Sequence, residues 1–233
     1  MREQPGQYLG MLLVVLLVLG SRAGLGQTSR CYGTPADGRL AGGVKLPLSG
    51  PNFRAYSQLA HTLGRVYLHD EVADLVISTY RALEMNRPET MFVYGETGWK
   101  HGGSFRPHRT HQNGSSVDFM VPVLDAEGSS TDLPTHALNR YGYGIEFDDA
   151  GRFNGFQVDF VALADHLYQL HRLATARGIG ISRIFLDPAF HDDLARTRNW
   201  QYLRANLPFS PNRQWVRHDD HYHVDFSLLC EAG

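Results

Sequence analysis

The sequence contains little cysteine and little net charge, and each shortage excludes a class of function. Two of its 233 residues are cysteine, and they are too far apart to form a Cys-x-x-Cys motif. Zinc binding through sulfur and thiol redox catalysis are therefore not expected. The formal net charge is −2, so the chain lacks the basic surface that nucleic-acid binding requires. The length fits one domain, and we find no internal repeat.

Long apolar runs are also scarce, and the longest lies at the N-terminus. Leu9 to Gly20 is almost entirely leucine, valine and methionine, and small residues follow it. At about 12 residues the run is too short to cross a bilayer of ~30 Å comfortably. We predict a signal peptide over residues 1–26, with an N-terminal membrane anchor as the alternative. Residues 27–233 would then form a periplasmic or secreted domain without a membrane segment.

If the chain is exported, its two cysteines are expected to form a disulfide. Cys31 and Cys230 lie near the two ends of the mature chain. An even number of cysteines in an oxidising compartment favours a disulfide. We therefore predict a Cys31–Cys230 bridge, and two unpaired thiols are the alternative.

Histidine, by contrast, is abundant, with 12 in the chain, and some of these residues form two clusters. His108 and His111 precede Asp118, and His218, His221 and His223 follow near the C-terminus. A zinc ion held by three imidazole or carboxylate ligands keeps an open position for water. The clusters therefore predict a hydrolytic zinc site. The alternative is ordinary loop and sheet histidines without a metal. Scattered histidines that look like surface residues are His61, His136, His166, His171 and His191.

Apolar periodicity predicts interleaved helices and strands. The predicted helices are Asp70, as cap, to Met85; Asp159 to Arg177; and a helix opened by Asp187 and Pro188. The predicted strands are residues 91–94, 116–123, 181–186 and 216–228. Residues 124–155 are polar and rich in turns, which predicts a surface excursion. Few residues are available for crossovers, so we predict an α+β fold with a mostly antiparallel sheet and flanking helices.

Strand geometry tests the proposed site. Side chains alternate along a strand, so His221, His223 and Asp225 share one face of the last strand. If the strand that carries Asp118 is its neighbour, Asp118 and His223 can approach one ion. His111 would arrive from a glycine-rich loop, where glycine lets the backbone come close.

Three segments resemble the penicillin-insensitive murein endopeptidases. Gly102-Gly-Ser-Phe-Arg-Pro-His-Arg-Thr-His-Gln-Asn-Gly, with Asp118 seven residues after His111, resembles the first metal motif of that family. His218-Asp-Asp-His-Tyr-His-Val resembles the second, and Arg183-Ile-Phe-Leu-Asp-Pro-Ala resembles a further stretch. The resemblance holds in order over most of residues 35–230. It implies a small α+β zinc peptidase of the superfamily that includes lysostaphin-type and D-Ala-D-Ala peptidases and the Hedgehog domain.

The resemblance also implies roles for individual residues. His111, Asp118 and His223 would bind one Zn²⁺, and His221 would be the base or the transition-state stabiliser beside it. His108 and His218 match family histidines in or near the site and would support catalysis. Arg106, in the same loop, is a candidate for binding a substrate carboxylate.

The function predicted from the sequence is hydrolysis of peptide cross-links in peptidoglycan by metal-activated water. A zinc amidase or carboxypeptidase that acts on the same polymer is the alternative within enzymes. A non-catalytic, zinc-stabilised binding module is the alternative from another class. The sequence does not indicate the oligomeric state or which bond is cut.

Overall fold

The central sheet of the protein has five strands and carries helices against one of its faces. The computed structural model describes residues 28–212 and 217–233, so the predicted signal peptide lies outside the described residues. The strands are β1 Arg30–Gly33, β2 Gly38–Ala41, β3 Val44–Lys45, β4 Phe53–Ala55, β5 Tyr67–Leu68, β6 Phe92–Tyr94, β7 Ser116–Met120, β8 Val123–Leu124, β9 Ser130–Thr131, β10 Arg152–Phe153, β11 Phe156–Val158, β12 Gly180–Phe185 and β13 His221–Ser227. The α-helices are α1 Gln58–Thr62, α2 Asp70–Glu84, α3 Phe160–Ala176, α4 His191–Leu194 and α5 Trp200–Asn206.

The strand order of the central sheet is β12-β13-β7-β6-β4. Its pairs are antiparallel except for β4 and β6, which are parallel. The predicted α+β class with a mostly antiparallel sheet is therefore confirmed, and the described residues form one domain. Among residues 28–212 and 217–233, none of the helices has the length and apolar character needed to cross a lipid bilayer.

The two long helices bury the faces that their apolar periodicity predicts. In α2, Val72, Leu75, Val76 and Leu83 are buried. The helix cap is His69 rather than Asp70, and Asp70 is the first helical residue. Asp159 caps α3, and its carboxylate accepts a hydrogen bond of 2.8 Å from the N–H of Ala162. Such a cap satisfies one of the unpaired donors of the first turn.

Helix α3 packs on the sheet through His166, which the sequence analysis wrongly placed on the surface. The His166 ring lies 4.7 Å from the ring of Phe119 on β7. Its Nδ1 shares a hydrogen bond of 2.6 Å with the hydroxyl of Tyr222 on β13. Burial lowers the pKa of His166 to about 3, so the ring is neutral in the folded protein. The face that carries Phe119 and Tyr222 is thus the core face of the sheet.

Residues 124–155 are largely exposed and rich in turns, as the sequence predicts, but they are not wholly at the surface. They contribute β9 and β10 to a second sheet, with the order β10-β11-β8-β9, and they bury Leu133, Ile145 and Phe147 in the core. Tyr141, Tyr143, Ile145 and Phe147 alternate with glycine or glutamate, which is the period of a strand, but the structure has no strand over these residues. Leu133 stands alone between polar and turn residues, so no period reveals its burial.

Several predicted boundaries were also wrong. The strand predicted over residues 116–123 ends at Met120 and β8 begins at Val123, because Pro122 interrupts the pairing. The last strand begins at His221 rather than at Val216, which lies outside the described residues. Asp187 caps a 3₁₀ turn, Pro188–Phe190, before the short helix α4.

The predicted disulfide joins the two ends of the domain. Cys31 and Cys230 are bonded across a sequence separation of 199. Next to the bridge, the N–H of Glu231 donates to Cys31 O, and the N–H of Gly33 donates to Glu231 O, both at 2.9 Å. The C-terminal residues are therefore fixed against β1 by one covalent bond and two backbone hydrogen bonds.

We expect the double substitution of Cys31 and Cys230 by serine to lower the free energy of unfolding by about 5 kcal/mol, because so long a loop removes much entropy from the unfolded chain. Urea denaturation of the oxidised protein and of the double variant measures this difference. Reduced wild-type protein is the matched control and should resemble the variant. A loss below about 1 kcal/mol would show that the loop-entropy argument does not hold for this chain.

Candidate metal centre

The face of the central sheet opposite the core carries the predicted site residues. His223 on β13 pairs directly with Asp118 on β7, and His221 pairs with Met120. Asp118, His221 and His223 have exposed fractions of 0%, 3% and 3%. The predicted convergence of the two strands is thus observed, and it occurs where water has little access.

His111 reaches the same place from the loop between β6 and β7. Its φ of 69° lies in the left-handed region, which is uncommon for a residue with a side chain. The loop passes close to Gly98, where a Cβ atom would lie 2.7 Å from His111 O. The backbone therefore holds a fully buried His111 in an unfavourable conformation, as is frequent in functional sites.

Hydrogen bonds to the far side of each ring orient His111 and His223. His111 Nδ1 lies 3.2 Å from the carbonyl oxygen of Thr97, which only accepts, so Nδ1 carries the proton. His223 Nε2 lies 2.8 Å from Asp225 Oδ1, which also accepts a bond of 2.6 Å from Ser116 Oγ. An acceptor on the outer nitrogen is the usual arrangement of histidines that bind metals through the inner one.

The inner nitrogens meet at one carboxylate. His111 Nε2 is 3.2 Å from Asp118 Oδ1, and His223 Nδ1 is 2.9 Å from the same oxygen. Ligand atoms of His108, His111 and Asp118 all lie within 4.8 Å of one another. His111 Nε2 is buried and has no hydrogen-bond partner among residues 28–212 and 217–233. A buried nitrogen that faces a carboxylate without a hydrogen bond fits a metal ligand, so the residues present could hold a metal ion.

The pKa values of Asp118, His111 and His223 depend on burial and on the charges of their neighbours. Burial raises the pKa of Asp118, but the electrostatic attraction of His111 and the hydrogen bond to His223 outweigh that effect and hold the pKa well below its usual value. Burial lowers the pKa of His111. Burial also opposes protonation of His223, yet the carboxylates of Asp225 and Asp118 raise its pKa to about 10. A metal ion would compete with that proton for His223.

His108 stands beside the group and is fixed by a buried glutamate. Its Nε2 lies 2.6 Å from Glu96 Oε2, and its Nδ1 lies 3.7 Å from Asp118 Oδ2. Glu96 also accepts hydrogen bonds from the hydroxyl of Tyr56 at 2.5 Å and from Arg65 Nη2 at 2.9 Å. Burial raises the pKa of Glu96, but these donors outweigh it and lower the pKa to about 2. Glu96 is therefore an anion that orients His108.

His221 has a different environment from His223, although both lie on β13. Its Nδ1 bonds to the carboxylate of Asp220, and the ring of His218 stands 4.8 Å from its own ring. Burial lowers the pKa of His221, but the charge of Asp220 outweighs it and raises the pKa. The neighbouring Asp219 does not orient an imidazole, since it accepts from the N–H of Phe147 and from Arg217.

A cavity of about 1000 Å³ opens over these residues. His108, Asp118, His218, His221 and His223 line it, so one space connects both predicted clusters. Arg106, the predicted carboxylate-binding residue, is exposed and is not among the lining residues. The arginines that do line the cavity are Arg65, Arg109, Arg140 and Arg183.

Two residues of the site, Tyr143 and Glu96, were not predicted from the sequence. The hydroxyl of Tyr143 donates to Asp118 Oδ2 at 3.0 Å and accepts from the N–H of Glu96 at 2.7 Å. Tyr143 lies in the segment predicted to be a surface excursion, and it follows left-handed residues at Arg140 and Tyr141, whose conformation the sequence does not indicate. Glu96 offered a signal, since it is a charged residue two positions after the predicted strand of residues 91–94.

Comparison with known proteins agrees with the resemblance of the motifs. No curated protein matches the chain. A family model described as penicillin-insensitive murein endopeptidase matches residues 31–233, which is nearly the whole described domain. The match spans β1 to the C-terminus and includes His108, His111, Asp118 and the histidines of β13. The chain therefore belongs to the penicillin-insensitive murein endopeptidase family.

Proposed function

We propose that the chain is an exported zinc endopeptidase that hydrolyses peptide cross-links of murein. Zn²⁺ would be held by His111, Asp118 and His223, as the motifs imply. The observation that carries the proposal is the buried, unbonded Nε2 of His111 beside Asp118. Export is supported by the disulfide, which is typical of oxidising compartments. Residues 1–26 would be the signal peptide, and residues 27–233 the mature domain.

The zinc ion would supply Lewis acidity, which polarises the scissile carbonyl and lowers the pKa of a bound water. His221 lines the same cavity as Asp118 and His223, and its Nδ1 is hydrogen-bonded to Asp220. Its Nε2 is then the nitrogen that takes the water proton or stabilises the oxyanion. His108 and His218 line the same cavity and would assist protonation of the leaving amine.

Digestion of purified murein tests the proposal. The mature protein should convert cross-linked peptide dimers into monomers, which mass spectrometry of the released fragments would identify. A chelator should abolish the conversion, and added zinc should restore it. Release of peptides from the glycan would instead indicate an amidase, and release of single terminal residues a carboxypeptidase. Absence of any product from zinc-loaded protein would favour a binding module.

Tyr143 provides a test of the metal site that does not depend on cleavage. Replacing Tyr143 with phenylalanine removes the hydroxyl that holds Asp118 Oδ2 and leaves the N–H of Glu96 without its acceptor. We expect zinc affinity to fall by about 10- to 100-fold, as is usual when the orienting partner of a ligand is lost. Competition with a chromogenic chelator measures the affinity.

The matched control for that experiment is Tyr141→Phe. Tyr141 belongs to the same segment and also lines the cavity, but no hydrogen bond of its hydroxyl is found among the described residues. The zinc affinity of this variant should stay within about twofold of wild type. An equal loss in both variants would indicate a general disturbance of the segment rather than the loss of the bond to Asp118.

A further inference from the structure

The exposed charges along the cavity are of one sign. Arg109, Arg140 and Arg183 line it, whereas the carboxylates in its lining, Glu96 and Asp118, are buried and bonded within the protein. The whole chain has a formal net charge of −2, so the cationic lining is a local property. Such a lining attracts and orients an anionic ligand.

Arg183 lies at one end of the cavity, on the edge strand β12. In the register of the sheet it pairs with Asp225, while Phe185 pairs with His223. Two inter-strand steps separate β12 from β7, which carries Asp118, and this corresponds to roughly 10 Å. The Arg183 side chain therefore begins close to the proposed metal ligands and is long enough to reach a group near them.

The N–H groups of the Arg183 guanidinium are available to bind a ligand. Its Nη1 lies 3.8 Å from Asp225 Oδ2, which is too long for a hydrogen bond, and the side chain is 53% exposed. Among the described residues it makes no hydrogen bond. Asp225 is already engaged by Ser116 and His223. Asp225 thus supplies an attractive charge behind Arg183 but leaves the planar fork of N–H groups available to a ligand.

Helix α1 adds exposed apolar side chains to the cavity lining. Leu59 of α1 and Leu63, the cap that ends this helix, both line the cavity and are 52% and 62% exposed. Helix α1 follows β4, the other edge strand of the central sheet. A substrate that crosses the sheet would therefore meet apolar side chains at the β4 edge, the proposed metal in the middle and a cation at the β12 edge.

We propose that Arg183 determines specificity by binding a carboxylate of the substrate peptide on the β12 side of the scissile bond. The inference rests on the proposed function and adds the chemistry of one subsite. Guanidinium and carboxylate match in a planar, bidentate geometry. The distance across two strands, roughly 10 Å, places that carboxylate about three residues from the scissile bond, given roughly 3.5 Å per extended residue.

Steady-state hydrolysis of two matched substrates tests the assignment. One is a soluble cross-linked murein peptide, and the other is the same peptide with its carboxylates converted to carboxamides. Arg183→Gln should raise KM for the first substrate by about 10- to 100-fold with little change in kcat, because one charge-assisted contact is lost. The same variant should cleave the amidated substrate as wild type does, and Arg183→Lys should fall between the two.

The control variant is Arg204→Gln, which changes the net charge equally at an exposed arginine of α5 outside the cavity lining. It should match wild type on both substrates, and zinc content should be unchanged in every variant. A fall in kcat on both substrates without a rise in KM would overturn the proposal, since Arg183 would then act only through Asp225 and His223. If wild type cleaves these peptides and Arg183→Gln prefers the carboxylate substrate over the amidated one as strongly as wild type does, only the assignment of Arg183 fails. If wild type cleaves neither substrate, the proposed function itself fails.

Discussion

Replacing Asp118 with asparagine is expected to remove the metal and the activity together. Asp118 is fully buried, and its carboxylate contacts His111, His223 and Tyr143. Asparagine keeps the volume and one acceptor but removes the anionic charge of the ligand. Two imidazoles then remain, and they bind zinc weakly. Murein cleavage should fall by at least about 10³-fold, because a metal ion contributes several kcal/mol to the transition state.

Metal analysis of purified Asp118→Asn by mass spectrometry is the primary measurement, and thermal unfolding checks that the variant is folded. Alanine at this position is less informative, because it leaves a protonated His223 beside an empty space in the core of the site. The matched control is Asp192→Asn on the exposed side of α4, which should keep both zinc and activity. Stoichiometric, tightly bound zinc in Asp118→Asn would mean that other residues, with His108 among them, form the ligand set.

Much of the site could be predicted because it lies on strands with strict alternation. The placement of His221 and His223 on one face of β13, with Tyr222 on the other, follows from the period of 2 alone. The pairing of β13 with β7 was only a condition in the sequence argument, yet the register brings His223 directly opposite Asp118. The alternation along each strand therefore predicts which side chains share a face. The two histidine motifs indicate that β7 and β13 lie close together.

The parts that could not be predicted depend on long-range contacts. Tyr143 and Asp118 are 25 positions apart and meet through a segment with left-handed residues at Arg140 and Tyr141. The bond between Tyr56 and Glu96 spans 40 positions. Neither contact could be predicted, because Tyr143, Tyr56 and Glu96 lie outside the strands and helices and no local pattern shows which distant residue each one meets. The burial of Leu133, Ile145 and Phe147 likewise depends on contacts with distant parts of the chain.

The two histidines of β13 should respond in opposite ways to substitution by alanine. His223 contacts Asp118 through Nδ1, so His223→Ala should lose the metal. His221 bonds to Asp220 instead, and its ring packs 4.7 Å from the ring of Tyr143. His221→Ala should therefore keep zinc nearly stoichiometric while turnover falls by about 10²- to 10⁴-fold, the usual contribution of positioned acid–base catalysis.

Zinc content, thermal unfolding and murein cleavage of the same preparations separate the possible outcomes. Because His221→Ala leaves the buried carboxylate of Asp220 without its partner, the double variant with Asp220→Asn serves as the control for misfolding. His108→Ala should also keep zinc, since Glu96 holds one nitrogen of that ring and His223 supplies the third ligand. Loss of zinc from His221→Ala as readily as from His223→Ala would show that the role assignment is wrong. If neither change alters the cleavage of murein peptides, this cavity is not the site of a peptidase.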